Sequence, residues 1–311
     1  MKRIAIIAGL MLTVLFTSEA QNELNPASTY AIPCPENVVF CGQTVDLSRS
    51  DLRERFDREI MADNYMHSAS LLTIKRANRY FPVLEPILKA QGIPDDMKYL
   101  CCIESTLNPK AVSPSGAAGL WQFMEETGRE YGLQVDKQVD ERYDAVKSTE
   151  AACRYFRACY EEFKDWSLVA AAYNAGRRRI RTELAKQQET SYYGLWLNEE
   201  TYRYVFRILA IKCFLEHPMR YGFKLQADDL YQPFSGELVS VSGPVADWAV
   251  FAHEHGITYS QLKEWNLWIR DTKMDNPKEK TFSVQIPAQA AKTDRRKLPY
   301  VHDQNWVVYG K

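Results

Sequence analysis

The 311-residue chain has no excess of either charge: its formal net charge is −1 at pH 7. That balance argues against wholesale electrostatic binding to nucleic acid and leaves only local basic patches to consider. Histidine is scarce, with five scattered along the chain. No Cys/His spacing fits a zinc site, so neither a metal nor an organic cofactor is called for. Long apolar runs are also missing. The run from Ile4 to Phe16 is too short to span a bilayer comfortably. It follows Lys2 and Arg3, and it precedes Ser18 and Ala20 at the positions a signal peptidase reads. Residues 1–20 are therefore read as an export signal, with the mature chain starting at Gln21. The cysteine nearest that cleavage point is Cys34, so no lipid anchor is indicated.

What remains is an ordinary globular composition, 46% hydrophobic and 25% charged, enough for a sizeable core. The seven cysteines are an odd number for an oxidising compartment, so at least one is expected to be unpaired. Cys34 and Cys41, in a Pro/Gly-containing segment, are candidates for a small disulfide loop, while Cys153, Cys159 and Cys213 fall in apolar helical patterns as core residues.

Residues 21–48 mix Pro, Asn, Ser and Gly and read as an extended arm. From Asp51 to about Lys89 the pattern is helical, and "GIPDD" (92–96) starts the next helix. "NPKAVSPSGAAG" (108–119) reads as a shaped loop, and helix is expected to resume with "LWQFMEETGREYG". Ala152, Tyr155, Phe156, Cys159 and Phe163 form one stripe, and "WSLVAAAY" is apolar nearly all round and stops near Gly176. Tyr202, Val205, Phe206, Leu209 and Cys213 trace a last inner face, entered through Asn198. Residues 49–225 thus read as one all-helical domain. Beyond it the period changes to strand, helix, helix, strand over 237–288: Val239 and Val241 alternate with serines, two short helices end near His255 and Trp265, and Phe282, Val284 and Ile286 alternate again. The tail, 289–311, carries "DRRK" and closes with "WVVYG", a lone strand without an identifiable partner.

One residue breaks its pattern. Met97, Leu100, Cys101 and Glu104 fall at i, i+3, i+4 and i+7, which places a carboxylate on the apolar stripe of a helix ending near Ser105. An ionised carboxylate taken out of water costs several kcal/mol unless paired, or else takes up a proton. A glutamate held against apolar side chains keeps its proton near neutral pH and can give it to a departing oxygen. On periodicity alone, a helix-end carboxylate turned to solvent is the better account of Glu104.

Four ordered blocks tip that balance: "ES" (104–105), "SPSGAAGLWQFM" (113–124), "AAYNAG" (171–176) and "ETYRYVFRILA" (200–210). In order and spacing this set resembles the goose-type-lysozyme-like lytic transglycosylases of bacterial cell walls, over roughly residues 80–220. The resemblance implies a lysozyme-like helical catalytic domain with Glu104 as catalytic acid. It implies Ser113, Gly119, Gln122, Met124, Tyr173 and Asn174 as substrate-binding positions. Gly116 and Gly119 would let backbone approach a sugar closely, although turn geometry also asks for glycine. Trp121 is core or sugar platform, and Tyr173 could equally end a buried helix. Where the family continues with Gly and Pro, this chain has "RRRIR" (177–181), a solvated face or a surface for the carboxylates of peptide stems.

The 237–288 segment resembles the lysin motif, a βααβ module that binds N-acetylglucosamine chains, through its element order, Leu262 and Asn266, and the closing Ile286–Pro287. Its opening "GPVADWAVFA" departs from the usual "GDTLWSIA". The fold expected is thus mainly α with a small α+β C-terminal module. The function implied is cleavage of the β-1,4 bond between N-acetylmuramic acid and N-acetylglucosamine with formation of a 1,6-anhydro end. A water-using muramidase of the same fold and a non-catalytic wall-binding protein are the alternatives. Glycan strands of peptidoglycan are the implied partner, with peripheral membrane or cell-wall association and no nucleic acid, and the periplasm or cell envelope is the implied location.

Overall fold

The structure, a computed structural model, describes residues 31–288 and 299–308; the export-signal segment, the first ten residues of the arm (21–30) and part of the tail lie outside them. Within the segment expected to be extended, β1 (Asn37–Phe40) and β2 (Gln43–Asp46) pair as an antiparallel hairpin. Alternation explains the difference: Val38, Phe40 and Val45 are buried on the helical core while their neighbours face out. The turn is tied down by the Cys41 N–H, which donates to Asp96 Oδ2 at 2.7 Å. Cys34 and Cys41 are both free thiols, so the expected disulfide is not formed.

The helical run after Asp51 divides into α1 (Ser50–Tyr65) and α2 (His67–Ala90). A single turn, Asp95–Lys98, then feeds α3 (Tyr99–Ser105). The loop after α3 extends to Met124 and takes in "LWQF", which the sequence pattern had given to a helix. Isolated bridges Val112↔Ala118 and Ala118↔Phe123 and a left-handed Gln122 (φ 49°) hold it in shape. Then come the short α4 (Glu125–Glu130), α5 (Ala145–Phe163), α6 (Trp166–Ala175), α7 (Arg177–Gln187) and α8 (Glu199–Glu216). Asp144 and Asp165 cap α5 and α6 by accepting from their first free N–H groups. Gly176 (φ 85°) ends α6 and opens α7, a conformation a side chain would resist. The "RRRIR" run is thus helical: Ile180 is buried and Arg177 is paired with Glu162 at 2.9 Å.

α8 is the central helix and is buried on nearly all sides. α1 crosses it through the Arg203–Glu59 pair, whose carboxylate is buried and doubly bonded at 2.7 and 2.9 Å. Enclosure on several sides is why a single stripe did not describe it: Tyr204 is buried whereas Tyr202 is half-exposed.

β3 (Gly236–Val241), α9 (Trp248–Glu254), α10 (Tyr259–Trp265) and β4 (Phe282–Pro287) follow in the expected order, with β3 and β4 antiparallel. They enclose a second core of Trp248, Leu262, Trp268, Ile269 and Val284. Asn266 is fully buried and behaves like a piece of strand. Its amide donates to the carbonyls of Leu262 and Gln285, and its Oδ1 accepts from the Gln285 N–H at 2.7 Å. The C-terminal segment returns to the first core, where Val307 bridges Leu225 in parallel and the buried Trp306 donates from Nε1 to the Leu215 carbonyl at 2.7 Å.

Candidate active site

α3 and the turn before it are almost wholly internal: Met97 in the turn and Leu100 and Cys101 in α3 are fully buried and fix which face Glu104 shares. Glu104 keeps part of its surface open, while its carboxyl group lies deep enough for loss of water to raise its pKa above the ordinary glutamate value. Two neighbours work against that rise. The Tyr204 hydroxyl donates to Oε1 at 2.5 Å, and the Arg207 guanidinium favours the ionised form. The charge of Glu200 adds slightly to the rise. Arg207 also donates to the Ile103 carbonyl at 3.1 Å, which pins the last turn of α3 to α8.

Ser105, next to the acid, joins α3 to the loop. Its hydroxyl lies 3.0 Å from the Cys101 carbonyl and 2.9 Å from that of Leu120. From the other side the Tyr173 hydroxyl donates to the Trp121 carbonyl at 2.7 Å. The ring of Tyr173 packs among Trp121, Phe123, Tyr155 and Phe156; burial raises its pKa, and the charge of Glu104 adds to the rise. Tyr173 therefore both ends a core helix and lies beside the acid. Trp121 is fully buried and donates from Nε1 to Thr149 at 2.8 Å, which makes it core and not a sugar platform.

The other expected positions divide. Ser113 is half-exposed and accepts from the Ala117 N–H at 3.0 Å, so its own proton remains free to donate. Gln122 spends its amide on the loop, donating to the carbonyls of Ala111 and Gly119 at 3.2 and 2.8 Å. Met124 stands exposed at the loop's end. Asn174 donates to Glu200 at 3.1 Å and accepts from the Thr201 hydroxyl at 2.8 Å, tying the end of α6 to the start of α8. Gly119 is buried, and a Cβ there would lie 1.9 Å from the Arg142 carbonyl oxygen. Its lack of a side chain serves loop packing.

Tyr204 and Arg207 were not singled out from sequence, although both lie in the "ETYRYVFRILA" block. Positions 200, 204 and 207 recur at helical spacing and so share one face of α8, a signal that was there to read. Among the described residues no group of His, Cys, Asp and Glu is arranged to hold a metal, and no helix is long and apolar enough to cross a membrane.

Comparison with known proteins adds two matches. Residues 85–195 match the Transglycosylase SLT domain, and residues 237–290 match the soluble lytic transglycosylase C-terminal LysM-like domain. Membrane-bound lytic murein transglycosylase D of Escherichia coli (strain K12) is 33% identical over 228 residues, covering 72% of this chain and 49% of that protein. Soluble lytic murein transglycosylase of Salmonella typhimurium is 28% identical over 138 residues, 42% of this chain and 21% of that one. The chain thus spans about half or less of the length of these curated relatives. Among solved structures, the 70 kDa soluble lytic transglycosylase of Escherichia coli aligns with a TM-score of 0.39 and 25% identity, over 45% of this chain and 24% of that one.

Proposed function

We propose that this chain, with its SLT-type and LysM-like segments, is an exported peptidoglycan lytic transglycosylase. Residues 49–225 form its catalytic domain and residues 237–288 its wall-binding module. The observation that carries the reading is the opposed tuning of Glu104. Loss of water raises its pKa and so favours the protonated form, while Tyr204 and Arg207 favour the ionised form once the proton has left.

The proposed reaction uses both states. Protonated Glu104 gives its proton to the glycosidic oxygen as the bond from C1 of N-acetylmuramic acid breaks. The carboxylate then takes the proton of the same sugar's C6 hydroxyl while O6 closes on C1, giving the 1,6-anhydro end. The attacking oxygen is already tethered, so ring closure avoids the entropic cost of recruiting water. Ser113, Gln122 and Met124 on the loop, with Tyr173 and Asn174 opposite, would line the strand. Gly119 would hold the loop's shape.

Export supports the assignment of substrate: the charged start, the short apolar run and Ser18 and Ala20 fit a signal removed before Gln21. The periplasm or cell envelope is the compartment where glycan strands would be met. The test is incubation with purified sacculi, where soluble muropeptides should be released by the wild-type chain and not by Glu104→Gln. Intact sacculi after prolonged incubation with the folded wild-type protein would overturn the reading.

A further inference from the structure

The loop that follows α3 does not rest on the helical body alone, because residues 138–142 connect it directly to the C-terminal module. The side chain of Val139 is buried in the module's own core. Its backbone bridges Ile269, the Asp140 N–H donates to the Trp268 carbonyl at 2.9 Å, and the Arg270 N–H donates to that of Gln138 at 2.8 Å. The Gln138 carboxamide closes on Asp275 twice: Nε2 donates to Oδ2 at 2.7 Å, and Oε1 accepts from the Asp275 N–H at 2.9 Å. Arg270 also lies over the ring of Tyr143.

The same stretch then holds the loop that follows α3. Asp140 accepts from Arg142 Nε and Nη2 at 2.9 and 2.7 Å, and both residues are buried. Arg142 Nη1 donates to the carbonyls of Gly116 and Phe123 at 2.9 and 3.1 Å, so a single guanidinium clasps both ends of the loop's tight part. Breaking such a buried set leaves a charge without its partners, which makes the arrangement stiff. The exposed Lys110–Glu264 pair also spans from the loop to α10, but screening by water makes it a minor contribution.

We infer that the C-terminal module is a positioning element of the catalytic site, acting through Asp140 and Arg142 on the loop from Gly116 to Phe123. The inference rests on the reading of that loop as glycan-binding. A wall-binding module on a slack tether would add avidity and nothing else. One joined to the loop by consecutive bonds also sets the placement of Ser113, Gln122 and Met124, where a shift of about 1 Å can cost up to about a hundredfold in rate.

Full-length Val139→Asp, Val139→Ile and Arg142→Lys variants test this by amide hydrogen exchange and by cleavage of short soluble glycans, for which avidity is irrelevant. Val139→Asp should detach the module. Lysine at 142 keeps the charge but cannot reach Asp140 and both carbonyls together. Both variants should speed exchange at residues 116–123 and lower kcat/KM by about tenfold or more, with α5, α6 and α8 as protected as in wild type. Val139→Ile, which keeps the apolar insertion, should restore both readings. Wild-type exchange of the loop in Arg142→Lys, or in Val139→Asp once the 266–269 amides have lost protection, would overturn the inference. If wild type cleaves no glycan, the proposed function falls while the exchange measurement still decides the coupling.

Discussion

The Tyr204 hydroxyl donates to Glu104 Oε1 at 2.5 Å across a separation of 100 residues. One contact thereby ties the end of α3 to the central helix α8 and bears on the proton affinity of the carboxylate at the end of α3. Burial raises the pKa of Glu104, and the tyrosine holds the rise in check. A general acid works below its pKa and fails as the pH rises through it.

Tyr204→Phe should therefore move the alkaline limb of the kcat/KM profile to higher pH, since the group that favours the ionised form is gone. Activity at the plateau should fall because the second, base-like step loses its stabilising donor. A pH–rate profile on a soluble glycan checks both. An alkaline limb that stays put or moves to lower pH would contradict the assignment of the limb to Glu104.

Glu200→Gln separates a tuning role from a chemical one. The charge of Glu200 raises the pKa of Glu104, so its removal should shift the alkaline limb to lower pH. Turnover at the plateau should fall less than about tenfold, because a group acting as catalytic base would cost about 10²–10⁴-fold. Kinetics at several pH values distinguish the two, and a loss of the larger size would mark Glu200 as a second catalytic carboxylate.

Trp306→Ala should destabilise the helical body by about 3–5 kcal/mol, the range for emptying a large buried aromatic site. The residue is buried beside α8 and bonded to the Leu215 carbonyl. Urea unfolding followed by far-UV circular dichroism measures it, with a change under about 1 kcal/mol as the contrary result. For the same reason, deletion of everything after residue 236 would strip the first core as well as the module.

The sequence was most legible where one face of an element meets one environment. The stripe of α5, the nearly all-apolar α6 and the alternating β3 and β4 read directly, whereas spacing alone left open whether Glu104 turns inward or to solvent. Legibility failed where tertiary partners decide. Leu120 to Phe123 look helical, but the loop is shaped by Ser105, Tyr173 and Arg142, all distant in sequence. The tail's partner, Leu225, and the insertion of Val139 into the module's core leave no local trace.

Gly119→Ala should be among the most damaging single-atom changes in the chain. The residue has φ 78°, and the added Cβ would meet the Arg142 carbonyl oxygen at 1.9 Å. Left-handed backbone alone costs about 1–2 kcal/mol for an alanine, and relief of the clash must displace the backbone of the Glu141–Tyr143 turn as well. Thermal unfolding should show a clear drop in Tm, accompanied by faster hydrogen exchange at residues 116–123. Gly116→Ala, with positive φ but open space around it, should cost less.

The central claim, that Glu104 alone serves as acid and then as base while the sugar's own C6 hydroxyl attacks, is tested most directly by the mass of the products. Purified sacculi digested with the wild-type chain should yield soluble muropeptides ending in 1,6-anhydro-N-acetylmuramic acid, one water lighter than hydrolysed ends and silent in a reducing-sugar assay. Products that carry free reducing ends would contradict the account and assign the same fold to a muramidase.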